Sequence, residues 1–180
     1  QSQRVSRVAL QLFNKAIENS EHEAHLVQRL KRKLSWAASM HEVGFAISHS
    51  DYHKHGAYIL ENADLLGFSM QELQRLGLLV LGHRGKLRKL EADFEEAEFI
   101  KMLIALRMAV ILCHARKNPD QSGLEFNCNE KSKQFILEAD ADWIESHPQS
   151  VHLLRQEVIA WQKTPWVFAF TQAARVKQPA

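Results

Sequence analysis

The segment HEVGFAISHSDYHKH, residues 41–55, brings His41, His49, His53 and His55 within fifteen positions. Imidazoles gathered in this way either ligate a transition metal as neutral donors or contact an anion, adding positive charge below about pH 6.5. The spacing is poor for a metal. Intervals of four and two between His49, His53 and His55 match neither His-Glu-x-x-His nor a Cys/His zinc pattern. His41 and Glu42 add one imidazole and one carboxylate, whereas a divalent site usually takes at least about three protein ligands. Anion chemistry is better furnished by a second stretch, where His83, Arg84, Lys86, Arg88 and Lys89 fall within seven residues beside Gly82 and Gly85. Arginine brings forked donors to phosphate oxygens and lysine a mobile point charge. Each phosphate they neutralise releases counterions, so such a cluster suits a polyanion. A further basic run, Arg29, Lys31, Arg32 and Lys33, reads as the solvated side of a helix.

These residues must be positioned by a chain of 180 residues that is 46% hydrophobic, enough for one packed domain with a small appendage. The formal charge of +2 is near balance and gives no general indication of nucleic-acid or membrane-surface binding, so any anion site must be local. Cys113 and Cys128 sit in apolar patterns that suit small buried hydrophobes rather than a disulfide, which indicates a reducing, cytoplasmic setting. No apolar run approaches the roughly 18–20 residues of a membrane span, and no signal-peptide pattern opens the chain. The sequence does not begin with Met, and amphipathic periodicity starts almost at once, as expected of a domain cut from a longer protein.

Val5, Val8, Ala9, Leu12, Phe13, Ala16 and Ile17 predict a first helix over about 3–18. Leu26, Val27, Leu30, Leu34, Ala37, Ala38 and Met40 predict a second, ending between His41 and Gly44. After a loop at 45–51, Asp51 is expected to cap a short helix carrying Tyr58, Ile59 and Leu60. Ser69-Met70-Gln71-Glu72 has the form of a capping box before a buried helix that stops at Gly82. A long enclosed helix follows over about 93–117. Strand-like stretches at 124–128 and 133–139 flank a turn-prone Asn129 to Ser132, predicting a hairpin, and a last helix spans about 150–162. The residues from Thr171 onward lack periodicity and read as a frayed tail. The expected fold is therefore mainly α: a helical domain over 1–118, a hairpin–helix unit over 119–170 packed on it, and a flexible tail over 171–180.

Two family likenesses enter at this point. His41-Glu42-Val43-Gly44 resembles the His-Asp-x-Gly of HD phosphohydrolases, but Val110 stands where their later aspartate would, and the first helix holds no histidine. A self-sufficient HD enzyme built on His41 and Glu42 is one alternative. The longer series is more specific: His-Glu-Val-Gly, His49-Ser50, His53-x-His55-x-Ala57-Tyr58-Ile59-Leu60, Asn62-x-Asp64-Leu65-x-Gly67-Phe68 and Gly82-His83-Arg84-x-Lys86. It resembles the C-terminal domain of the exopolyphosphatase and guanosine pentaphosphate phosphatase family over nearly all the chain. That resemblance implies an HD-like helical core whose metal site is vestigial at His41 and Glu42. It also implies that hydrolysis, with its Mg, belongs to an actin-like N-terminal domain outside these residues, and that the roles here are polyphosphate or pppGpp binding and homodimer formation. No phosphate loop or nucleophile elbow occurs in the chain, and no catalytic residue or metal ligand is assigned. The residues expected to meet phosphate are His83, Arg84, Lys86, Lys89, His49, His53 and His55. A purely structural interaction module is the other alternative, with Trp143, Trp161, Trp166, Phe168 and Phe170 as its surface anchors.

Overall fold

Helix α1, Ser2–Ile17, turns Val5, Val8, Ala9, Leu12, Phe13, Ala16 and Ile17 inward, the face that three- and four-residue spacing dictates. The computed structural model describes residues 1–18 and 20–173, with residues 91–93 described by their backbone alone. Helix α2, Ala24–Met40, buries Leu30, Leu34, Ala37 and Ala38 against α1, and the small alanines allow close approach. A one-turn 3-10 helix, Val43–Ala46, precedes α3, Tyr52–Glu61, which packs along α4, Met70–Gly82. The start of α4 is the predicted capping box: Ser69 Oγ accepts from the Glu72 amide at 3.2 Å and Glu72 Oε2 accepts from the Ser69 amide at 3.0 Å. Asp51 precedes α3 as expected but does not cap it. It takes a left-handed φ of 54°, and its carboxylate accepts from Lys54 Nζ at 2.9 Å.

Helix α5, Ala97–Leu112, runs through the middle of the protein, with α1, α2, α4 and α7 against it, which explains why its sequence is apolar on every side. It ends five residues before the predicted stop, and Arg116 at φ 57° could not continue it. Lys101 of α5 is fully buried, and its ammonium donates to Ser20 Oγ at 2.7 Å and to Glu130 Oε2 at 2.6 Å, tying the hairpin turn to the helical core.

The hairpin forms as predicted. β1, Leu124–Asn129, pairs antiparallel with β2, Gln134–Ala139, placing Phe126 opposite Leu137. Helices α6, Ala141–Ser146, and α7, Pro148–Trp161, then lead to a strand the sequence reading missed. β3, Val167–Gln172, lies parallel to β2, with Phe135 opposite Phe168. Its last two residues belong to the segment expected to fray, and residues 174–180 of that segment lie outside the described residues. Trp143, Trp161, Trp166 and Phe168 are not surface anchors, since all are at most 4% exposed. Phe135 stacks on Trp166 with ring centroids 4.8 Å apart and meets Trp161 edge-on at 5.7 Å, so these aromatics fasten the sheet to α7 from within. Phe170 packs part-buried against the same core. Cys113 and Cys128 are both free, and burial pushes each thiol up to about 11.

Candidate anion-binding site

Two helices end alike. His41 follows α2 and His83 follows α4, and each turns its Nδ1–H back onto the carbonyl three residues earlier, Ala38 O at 2.6 Å and Val80 O at 2.5 Å. These bonds satisfy carbonyls that a helix end leaves free. The rings meet edge to face at 5.4 Å, and both are about 2% exposed. With Nδ1 carrying the proton, His83 Nε2 accepts from the Tyr52 hydroxyl at 3.2 Å. Burial drives the His83 pKa well below its usual value and also lowers that of His41. Both rings are neutral, and His83 underlies the basic segment almost wholly buried, bordering a second cleft with Arg84 and Arg107.

Above His83 the chain breaks. Arg84 lays its guanidinium over the Tyr52 ring, 4.9 Å from the centroid, and Gly85 takes a φ of 75°. In the following segment, Leu87–Asp93, two 3-10 turns meet at a kink at Leu90 (φ −115°, ψ 19°); Leu87 and Leu90 enter the core, and Arg88 and Lys89 lie on the outer side. Lys89 folds back to donate to Arg84 O at 3.3 Å. The cleft between this segment and the start of α3 has a volume of about 550 Å³ and is lined by Asp51, His53, Lys54, Gly85, Lys86, Arg88 and Lys89. Four cations therefore face one carboxylate, which Lys54 already occupies. Burial, with Arg107 and Lys54 nearby, lowers the Lys89 pKa to about 8. Burial, with Lys89 and Arg84, lowers that of His53 to about 4.

The residues expected to meet phosphate are thus divided. His53, Lys86 and Lys89 share the cleft, and Arg84 stands beside it. His49 is exposed against the Phe45 ring at 4.8 Å, and neither it nor His55 lines the cleft. The α2 run lies elsewhere: Arg32 covers Trp36, and Lys33 lines a groove with Arg75 and Glu96. Glu42 accepts from Arg116 at 2.9 Å. Among the described residues no group of three or more His, Cys, Asp or Glu is placed to hold a metal ion.

Sequence reasoning missed the support of the break. Arg107 of α5 forms a two-pronged ion pair with Glu157 of α7; its Nη2 donates to Oε2 at 2.7 Å, and its Nε donates to Oε1. Arg107 also donates to Gly82 O at 2.6 Å and Gly85 O at 3.3 Å, and Trp161 Nε1 donates to Glu157 Oε1 at 2.6 Å. Two opposite charges, each alone on an apolar helix face, are the sequence signal for this network.

The buried rings predict acid lability. A histidine whose folded pKa lies below its unfolded value binds more protons when unfolded, so its contribution is complete above about pH 6.5 and is lost as pH falls toward 4. His53 alone accounts for about 3 kcal/mol over that range, and His41 and His83 act in the same direction. Urea unfolding at neutral and acidic pH should show the loss, with a smaller one in His53→Phe; equal losses in both proteins would dismiss His53 as the cause.

Residues 1–158 match the family model "Ppx/GppA phosphatase, domain III". A guanosine-5'-triphosphate,3'-diphosphate pyrophosphatase of Pseudoalteromonas translucida (strain TAC 125) is 35% identical over 166 residues, covering 89% of this chain and 33% of that protein. Proteins of the same name from Pseudoalteromonas atlantica and Aeromonas hydrophila are 30% and 29% identical, each over 92% of this chain. The chain spans about a third of the length of these curated relatives. It belongs to the Ppx/GppA phosphatase family, where it corresponds to domain III.

Proposed function

We propose that this chain is a non-catalytic domain of a phosphoanhydride hydrolase and that it holds a polyanionic phosphate substrate, polyphosphate or pppGpp. The observation that carries this reading is the cleft beside Gly85, where Lys54, Lys86, Arg88 and Lys89 face a single carboxylate that is already paired. Cations gathered without matching anions repel one another, and a bound polyphosphate relieves that repulsion while releasing its counterions. In this reading hydrolysis, with its Mg, belongs to an actin-like N-terminal part of a cytoplasmic parent protein. The helical core is then an HD-like scaffold whose metal chemistry has been replaced by structural bonds at His41 and Glu42, and it pairs with that part and with a second copy of itself.

The test is the affinity of the chain for labelled long-chain polyphosphate across a salt series. Binding should weaken steeply with salt, and a Lys86→Ala/Arg88→Ala/Lys89→Ala variant should lower the log–log slope by about 2–3. Absence of binding at low ionic strength would defeat the reading.

A further inference from the structure

The corner between α3 and α4 leaves apolar side chains in water. Leu66 is 98% exposed, Met70 71% and Leu65 39%, three large apolar residues within six positions. The Phe68 amide donates to Leu65 O at 3.1 Å and Gly67 takes a φ of 89°, which puts Leu66 at the tip of a β-turn. Phe68 meets the Trp36 ring edge-on, with centroids 4.6 Å apart, so the turn is fastened to α2. A scattered surface leucine needs no explanation, but one held out on an anchored turn beside two more apolar side chains marks a contact surface.

Further along the same seam lies a hollow. Trp36 meets Phe68, Lys33 lies by Glu72 and Arg75, and Leu30 and Leu26 share a lining with Leu76 and Leu79, so α2 runs antiparallel along α4. With Phe99 and Met102 of α5, these four leucines floor a cavity of about 270 Å³. That is below the roughly 300–1,000 Å³ of small-molecule sites and suits a side chain. From Ser69 to Leu76, α4 rises about 10 Å, which separates the turn from the hollow. Lys33 and Arg75 stand at the rim, where Glu96 pairs with Arg75 and Glu98 lies 4.0 Å from His22. The turn's own charges are acidic: Asp64 is exposed just before Leu66, and Glu72 opens α4.

We propose that Leu66 of one copy enters this hollow in a second copy, and that the two copies exchange the contact about a two-fold axis crossing the seam between turn and hollow. This contact rests on the self-pairing put forward above and assigns it a face. The exchange matches charge as well as shape. It carries Asp64 and Glu72 of one copy toward Lys33 and Arg75 of the other, so neither end meets a copy of itself. Each dimer buries the leucine twice, and the turn that presents it is ordered before contact.

Sedimentation equilibrium of the chain at concentrations up to about 100 μM is expected to show monomer in exchange with dimer. Leu66 is so exposed that Leu66→Lys leaves the fold intact, and two lost burials should weaken the dimer about a hundredfold or more. Ile159→Lys, at an exposed residue of α7 off the seam, should leave it unchanged. For the hollow, a Leu66→Cys chain is mixed with a Leu26→Cys chain under mild oxidation. The mixture should give a disulfide-linked pair, and neither chain alone should. Linking of Leu66→Cys to itself, or none in the mixture, would overturn the exchange. A dimer indifferent to Leu66→Lys would overturn it too and leave self-pairing on another face, whereas a chain monomeric throughout removes both.

Discussion

Truncation of Glu157 to Ala is expected to destabilise the protein by about 3–5 kcal/mol, the range seen when one member of a buried ion pair is removed. Arg107 would remain 4% exposed with its charge opposed only by the carbonyls of Gly82 and Gly85, and Trp161 Nε1 would lose its acceptor. Restoring neutrality should recover part of the loss: an Arg107→Met/Glu157→Met double variant buries no charge, but the Gly82 carbonyl then lacks its donor. Urea unfolding of the three proteins decides the matter. A loss below about 1 kcal/mol for Glu157→Ala would show that the pair is not the clasp between α5, α7 and the Gly82–Gly85 break. Since that clasp sets the position of Gly85, the double variant should also bind polyphosphate less tightly than the unaltered chain.

The second large effect is expected at Gly44. A Cβ there would stand 1.9 Å from Tyr52 O, 2.6 Å from Gly56 N and 2.8 Å from Tyr52 C, all of them backbone atoms that no side-chain rotation can move away. The 3-10 turn and α3 touch backbone to backbone, and Gly56 completes the approach with Gly44 N 3.5 Å from its own Cβ position. Gly44→Ala must therefore push α3 outward and carry Tyr52 and His53 with it, at a cost of about 3 kcal/mol or more. Gly67→Ala is the comparison. It meets nothing within 4 Å and is strained only by a φ of 89°, a cost of about 1–2 kcal/mol. Thermal unfolding in which Gly44→Ala is no worse than Gly67→Ala would refute the steric account.

What could be read from the sequence follows the range of the interactions involved. The buried stripe of α1, the Ser69–Glu72 capping box and the hairpin around Asn129 to Ser132 are written in residues a few positions apart, and the structure places them as expected. β3 was invisible because a parallel strand takes its partner from across α6 and α7, leaving no turn signal beside it. The basic segment was legible as composition but not as orientation. Nothing local says that His83 turns back onto Val80 O while Lys86 and Arg88 stay outside. The meeting of His53 with Gly85 depends on α3 packing along α4 and could not be derived from spacing.

The place of β2 between an antiparallel and a parallel neighbour also orders events in time. β1 and β2 are joined by a short turn, and such hairpins close in about 1–10 μs. β3 reaches β2 only after both intervening helices have been laid down, and it carries the greater loop-closure entropy. Phe135, on β2, is therefore presented by the hairpin first, and Trp166 stacks on it only when the last strand docks. By this ordering the end of the protein closes with its last strand, and until that strand docks β2 has one edge of unpaired amides and carbonyls.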